Sequence, residues 1–206
     1  MTRLVLATGN PHKVKEIEPL LAGAGVELVS VGGLVKGWDV DETGETLEEN
    51  AALKARAAVG ATGTPAVADD TGLFVDALGG EPGVRSSRYA GPGCSYADNV
   101  RKLLAAMTGA EARSARFRTA VVLACPDGTE RVFDGVLEGT IGTGARGTGG
   151  FGYDPVFVLP GGRTLAELPL AEKNRVSHRA AAFRALTAWL ASRGGAPICP
   201  CRPPVG

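Results

Sequence analysis

The sequence predicts an α/β fold, on three observations. Short apolar, β-branched runs recur at 3–8, 26–31, 65–69, 73–78, 117–125, 130–138 and 155–159; stretches with helical spacing lie among them; and turn residues punctuate the boundaries. The chain of 206 residues shows no composition break and no internal repeat. Residues 1–193 therefore read as one domain, a cleft between two lobes being one form it can take, and the Gly- and Pro-rich stretch 194–206 reads as an irregular or frayed tail.

The first strand hands over to a helix at Asn10, which can cap, with Pro11 at the first helical position, where its missing N–H costs nothing. Val14, Ile17, Leu20 and Leu21 form the buried stripe of that helix. Thr46-Leu47-Glu48-Glu49 is a capping box ahead of an alanine-rich helix expected to end near Gly60. A third helix follows Ser95, with Asp98 in its first turn and Val100, Leu103, Leu104 and Met107 inward. The last follows Ser177, with Phe183, Leu186 and Leu190 at helical spacing.

Bulk charge narrows the function. Lys plus Arg and Asp plus Glu both number 22, so the net charge is zero and nothing in it draws the chain to nucleic acid or an acidic membrane. A small substrate is the expectation. The opening apolar run is too short for a secretory leader, and no later run approaches the roughly 20 apolar residues of a spanning helix, so a cytoplasmic protein is expected. Reduced thiols are then expected at Cys94, Cys125, Cys199 and Cys201. Cys199 and Cys201 lack the second pair a soft metal would need.

Five segments carry chemistry. Thr8-Gly9-Asn10-Pro11-His12-Lys13 lies where a strand meets a helix. There, unpaired N–H groups and the helix dipole favour an anion, although an ordinary tight turn with a solvated lysine reads equally well. Asp69-Asp70-Thr71-Gly72 follows an apolar run, and two adjacent carboxylates at a strand end repel unless a cation or proton relieves them. Magnesium is one relief, and an Asx turn is the plainer alternative. Side chains alternate along a strand, so one aspartate is expected to bind metal and the other to orient a partner or water.

Acidic residues gather at 39–49, most of them suited to a helix start, with room for one metal ligand among them. Asn50 and Lys54 share a helix face and either meet a phosphate or face water. Gly147-Thr148-Gly149-Gly150-Phe151-Gly152-Tyr153-Asp154 allows close backbone approach, and Phe151 and Tyr153 offer π faces for a purine. Glu172 to Arg179 gathers Lys173, Arg175, His178 and Arg179, either a phosphate and base grip or a basic surface loop. Gly142-x-Gly144-x-x-Gly147 matches a dinucleotide fingerprint but opens no helix, which excludes that use.

Taken together, these segments resemble the inosine triphosphate pyrophosphatase family. The matching elements are Leu-Ala-Thr-Gly-Asn-x-x-Lys at 6–13, Glu-Thr-Gly-x-Thr with Glu-Asn-Ala-x-x-Lys at 42–54, and Ala-Asp-Asp-Thr-Gly-Leu at 68–73. They continue with Leu-Gly-Gly-x-Pro-Gly-Val-x-Ser-x-Arg-Tyr at 78–89, Gly-Thr-Gly-Gly-Phe-Gly-Tyr-Asp-Pro at 147–155 and Glu-Lys-x-x-x-Ser-His-Arg at 172–179.

The resemblance implies an elongated mixed sheet flanked by helices, an active-site cleft and a homodimer. It implies hydrolysis of ITP, dITP and XTP to the monophosphate and pyrophosphate with magnesium. In that reading Thr8, Asn10 and Lys13 hold the triphosphate, Glu42 and Asp70 bind magnesium, and Asp70 activates water. Thr71 touches substrate, Phe151, Gly152, Tyr153 and Asp154 enclose the base, and Lys173, His178 and Arg179 bind the nucleotide and read its six-position oxygen. A metal-bound carboxylate is a weakened base, which leaves Asp69 open as the alternative. The tail after about Ser192 matches nothing in the family.

Overall fold

The computed structural model describes residues 2–199. The strands are β1 (Thr2–Leu6), β2 (Val26–Ser30), β3 (Ala66–Val75), β4 (Pro82–Gly83), β5 (Ser114–Ala124), β6 (Glu130–Ile141) and β7 (Phe157–Val158), and the helices are α1 (Pro11–Leu21), α2 (Val31–Leu34), α3 (Leu47–Thr62), α4 (Tyr96–Ala106), α5 (Leu170–Val176) and α6 (His178–Ser192). The sheet order is β2-β1-β3-β5-β6-β7, with β4 on β3. β1 runs parallel to β2 and β3, whereas β3–β4 and β6–β7 are antiparallel, so the expected mixed sheet is present. No helix among the described residues is long and apolar enough to cross a membrane.

The local signals place the helix starts as read. Asn10 Oδ1 accepts the His12 N–H at 2.9 Å with Pro11 at the first position. Thr46 and Glu49 close a reciprocal capping box, as do Ser95 and Asp98. Helix α3 runs past Gly60 and stops at Thr62, because Gly63 adopts the left-handed conformation that ends it. The expected strands 65–69 and 73–78 are a single strand. β3 does not end at Asp69-Asp70, and its last expected residues, Asp76–Leu78, form a 3₁₀ turn.

Two compact units make up the chain. One holds the described residues up to Asp70, 120–134 and from 181 onward; the other holds Thr71–Thr119 and Gly135–Ala180. The chain crosses from one to the other inside β3, β5, β6 and α6 rather than through linkers, which is why the sequence shows no break.

In the first unit the second half of β1 and the residue after it are buried on both faces. Leu4 and Leu6 join Ile17, Leu21, Phe183 and Leu186 on one side; Val5 and Ala7 join Ala51, Ala55 and Ala58 of α3 on the other. The small residues of α3 let its backbone lie close to the strands. The second unit is built on Leu73, Val75, Leu103, Met107, Phe117, Phe157 and Leu165.

Cysteine usage is corrected by the structure. Cys125, at the end of β5, and Cys199 form a disulfide, with a Cα–Cα separation of 5.7 Å. Residues 194–199 carry neither helix nor strand, yet they are not frayed, since Ile198 is buried in the cluster of Leu21 and Leu190. Cys201 and the rest of the tail lie outside the described residues.

The bond spans 74 residues of sequence. Closing a loop of that size removes about 4 kcal/mol of unfolded-chain entropy, equivalent to roughly 10 °C in a chain this long. Cys199→Ser is expected to lower Tm by about that amount in differential scanning calorimetry under non-reducing conditions. An unchanged Tm would show that the cross-link contributes nothing.

Candidate active site

In the first unit the catalytic candidates are set by β3 and the two helices that supply its cations. Alternation along β3 sends neighbouring carboxylates to different partners. Asp69 Oδ2 pairs with Lys13 Nζ at 3.1 Å, and the same ammonium donates to the Asp69 carbonyl at 3.2 Å. Asp70 Oδ1 meets Lys54 Nζ at 3.1 Å, and Lys54 also donates to Glu42 Oε1 at 2.7 Å. The repulsion expected of the Asp-Asp pair is thus met by two lysines, from α1 and α3. The Asp69 side chain is fully enclosed, whereas that of Asp70 keeps 10% of its surface.

Burial pushes the Asp70 carboxyl above its ordinary range; Lys54 and Lys13 pull it down, and Glu42 adds to the rise. Burial alone would lower Lys54, but Asp70, Glu42 and Asp69 together raise it, so Lys54 stays charged. Three carboxylates on two ammonium groups leave an excess of negative charge in a largely buried place.

The segment bearing Glu42 is anchored by α3. Asn50 Oδ1 accepts the Gly44 N–H at 2.8 Å, and Glu49 accepts those of Glu45 and Thr46. A Cβ on Gly44 would lie 2.7 Å from Glu49 Cβ and 2.8 Å from Asn50 Oδ1, so only glycine fits. Asn50 and Lys54 are both buried. Of the two, Lys54 meets the carboxylates and Asn50 positions the loop.

At the start of α1 the expectation of unpaired N–H groups fails at two positions. Thr8 Oγ1 accepts from Asn10 N at 3.2 Å, and Asn10 Oδ1 accepts from His12 N. The nearest side chains have satisfied what an anion would have. Gly9, Pro11 and His12 are exposed, and Lys13 is half-buried on Asp69.

The second unit gathers the remaining candidates. Thr71 on β3, Thr119 on β5, and His178 and Arg179 at the start of α6 form one chain of contacts. Arg179 Nη2 donates to Thr71 Oγ1 at 3.3 Å, Thr71 and Thr119 share a hydrogen bond at 2.7 Å, and Thr119 Oγ1 meets His178 Nδ1 at 2.6 Å. Phe117 stacks on the His178 ring at 4.6 Å. Phe117 and Thr119 are two apart on β5 and so face one side.

Lys173, His178 and Arg179 are all buried, so the basic surface loop is excluded; the stretch before His178 is helix α5. Lys173 forms a buried ion pair with Asp154, whose Oδ2 also accepts the Phe151 N–H at 2.7 Å.

Only one of the two expected π faces keeps that form. The half-buried Phe151 ring has Lys173 Nζ at 5.2 Å and the Arg179 guanidinium at 5.5 Å. Tyr153 belongs to the core, and its hydroxyl donates to the Ser86 carbonyl at 2.9 Å; burial raises its pKa further. Several of the glycines serve the protein's own packing. A Cβ on Gly147 would lie 2.5 Å from the Ala166 backbone, and one on Gly150, at φ +67, would lie 2.0 Å from Asp154 Oδ2. Gly152, at φ +63, has open space.

Sequence reasoning missed Thr119, Phe117 and Ser86. Thr119 had a signal: it is the one hydroxyl in the apolar run 117–125.

Comparison with known proteins places the chain among relatives. A dITP/XTP pyrophosphatase of Symbiobacterium thermophilum is 54% identical over 183 residues, covering 88% of this chain and 91% of its own. One of Elusimicrobium minutum is 50% identical over 192 residues, covering 90% and 98%. Among solved structures, a HAM1 protein from Coxiella burnetii superposes with a TM-score of 0.85 at 41% identity, covering 93% of this chain and 100% of its own. The Ham1 protein of Staphylococcus aureus gives 0.84 at 38%, with the same coverage. A model of the Ham1 family matches residues 4–189, a span that includes the residues of both clusters described in this subsection, and the chain belongs to that family.

Proposed function

We propose that this protein hydrolyses non-standard purine nucleoside triphosphates, ITP, dITP and XTP, to the monophosphate and pyrophosphate. The observation that carries the reading is the Asp70–Lys54–Glu42 group, two carboxylates bridged by a buried lysine, in a chain about half identical to proteins named dITP/XTP pyrophosphatase.

The residues fit magnesium. Glu42 and Asp70 offer hard carboxylate oxygens beside one nitrogen, and the excess negative charge there favours a divalent cation. Among the described residues no three His, Cys, Asp or Glu side chains converge, so the ion would draw its other ligands from water and phosphate, as magnesium commonly does. When bound, it supplies positive charge against the triphosphate.

The protein's own groups do the rest. Lys13, Thr8 and Asn10, with Gly9, Pro11 and His12 around them, hold phosphates, and Lys54 keeps the two carboxylates together. Asp70 takes the proton of the attacking water. Asp69, enclosed and bound to Lys13, positions that lysine. Phe151 presents its ring to the base, with Gly152 leaving space beside it, while Asp154 and Lys173 hold the segment in place. His178 and Arg179 read the six-position oxygen, and Thr71 touches substrate. A buried donor left facing an amino group rejects adenine.

Incubation with ITP, magnesium and the protein is expected to release pyrophosphate, with ATP, dTTP and UTP turned over far more slowly in the same coupled assay. Orthophosphate as the first product would overturn the reading.

A further inference from the structure

The contacts Arg179–Thr71–Thr119–His178 have a direction. Arg179 can only donate, so Thr71 Oγ1 accepts from it at 3.3 Å. A hydroxyl that accepts from a cation is polarised to donate onward, and each further dipole in the chain is favoured with its oxygen toward the guanidinium and its hydrogen away. The hydroxyl of Thr71 then donates to Thr119 over 2.7 Å, and that of Thr119 donates to His178 Nδ1 over 2.6 Å. In the reverse direction the Thr119 and ring N–H dipoles would point their hydrogens toward the positive charge.

Thr119 is 1% exposed and His178 is 3%, so water does not compete for these bonds. The Phe117 face at 4.6 Å also fixes the plane of the ring. An imidazole whose Nδ1 accepts is neutral and carries its proton on Nε2.

We propose that Thr119 is a specificity-determining positioning residue: its hydroxyl, held between Thr71 and His178, fixes the His178 ring as an acceptor at Nδ1 and a donor at Nε2. This rests on the reading of His178 as a reader of the purine six position. A fixed Nε2 donor rewards a keto oxygen and is left unsatisfied by an amino group. Without the Thr119 hydroxyl the ring can take the other tautomer, whose Nε2 accepts from an amino group, and selection weakens. Thr119 touches no substrate in this scheme and acts only through the ring.

The chain has two histidines, so 15N labelling of histidine yields two imidazole spin systems, and His12→Gln assigns them. In the ligand-free wild-type protein, His178 is expected to show an unprotonated Nδ1 and a protonated Nε2. A protonated Nδ1 would overturn the proposal without any change at Thr119. In Thr119→Val the two nitrogen shifts are expected to move toward each other as tautomers mix. The kcat/KM ratio of ITP over ATP is expected to fall roughly tenfold, mainly through KM for ITP. Thr119→Ser is expected to restore both. Unchanged shifts in Thr119→Val, or changed shifts with an unchanged ratio, would overturn it. Absence of ITP hydrolysis in the wild type would instead overturn the functional reading, while the wild-type nitrogen shifts still decide the role of Thr119.

Discussion

Asp70→Asn is expected to lower kcat for ITP by about 10³-fold or more, because it removes at once the proposed proton acceptor and one of the two carboxylates proposed to hold magnesium. The substitution keeps the shape of the side chain, and the amide oxygen can still accept from Lys54, which retains Glu42 at 2.7 Å. Circular dichroism is therefore expected to show an intact fold.

The informative comparison is Asp69→Asn. Asp69 is enclosed and its carboxylate is taken up by Lys13, so its loss is expected to appear chiefly as a raised KM, with Lys13 no longer held toward phosphate. Burial already makes Asp70 a stronger base than an exposed aspartate, which offsets part of the basicity that a bound cation withdraws. A kcat collapse in Asp69→Asn with a mild effect in Asp70→Asn would exchange the two roles. Steady-state kinetics over a range of ITP and magnesium concentrations separates these outcomes.

What the sequence made legible is what short-range chemistry decides. The Asn10 cap, the Thr46 and Ser95 capping boxes and the apolar stripes of α1, α4 and α6 are complete within a few residues, so their pattern needs no knowledge of the fold. β3 was misread because two aspartates look like the end of an apolar strand. They remain inside it because Lys13 and Lys54, 56 and 16 residues away, supply the counter-charge.

The same holds for Cys125 and Cys199, whose bond depends on a tail returning to the end of β5, whereas the expectation of free thiols rested on compartment alone. Tyr153 and Phe151 are indistinguishable as letters between glycines; packing sends one ring to the core and leaves the other beside two cations. Asp69 and Asp70 were recognisable as a chemical centre and strand alternation separates them, but which of the two is enclosed depends on packing that no local pattern encodes.

Lys173→Met is expected to destabilise the protein by about 3–5 kcal/mol, roughly 10 °C in Tm, a loss larger than its lost contacts alone would cause. Both Lys173 and Asp154 are almost fully buried, and a carboxylate stripped of its counter-ion there has no water to replace it. Asp154 cannot swing away, since its Oδ2 also accepts the Phe151 N–H and lies against Gly150.

Two further measurements separate this from simple loss of packing. An uncompensated carboxylate disfavours the folded state while it is ionised and ceases to do so once protonated, so the deficit of Lys173→Met is expected to be greater near neutral pH than in acid. The double variant Lys173→Met with Asp154→Asn carries neither charge of the pair and keeps an acceptor for Phe151. Thermal denaturation of the wild type, Lys173→Met, Asp154→Asn and the double variant is expected to show the last more stable than Lys173→Met alone, the sign of coupling that a buried pair requires. Additive losses would mean that the two side chains act separately, and that the segment from Gly150 to Asp154 is held in place by its glycine turns rather than by the ion pair.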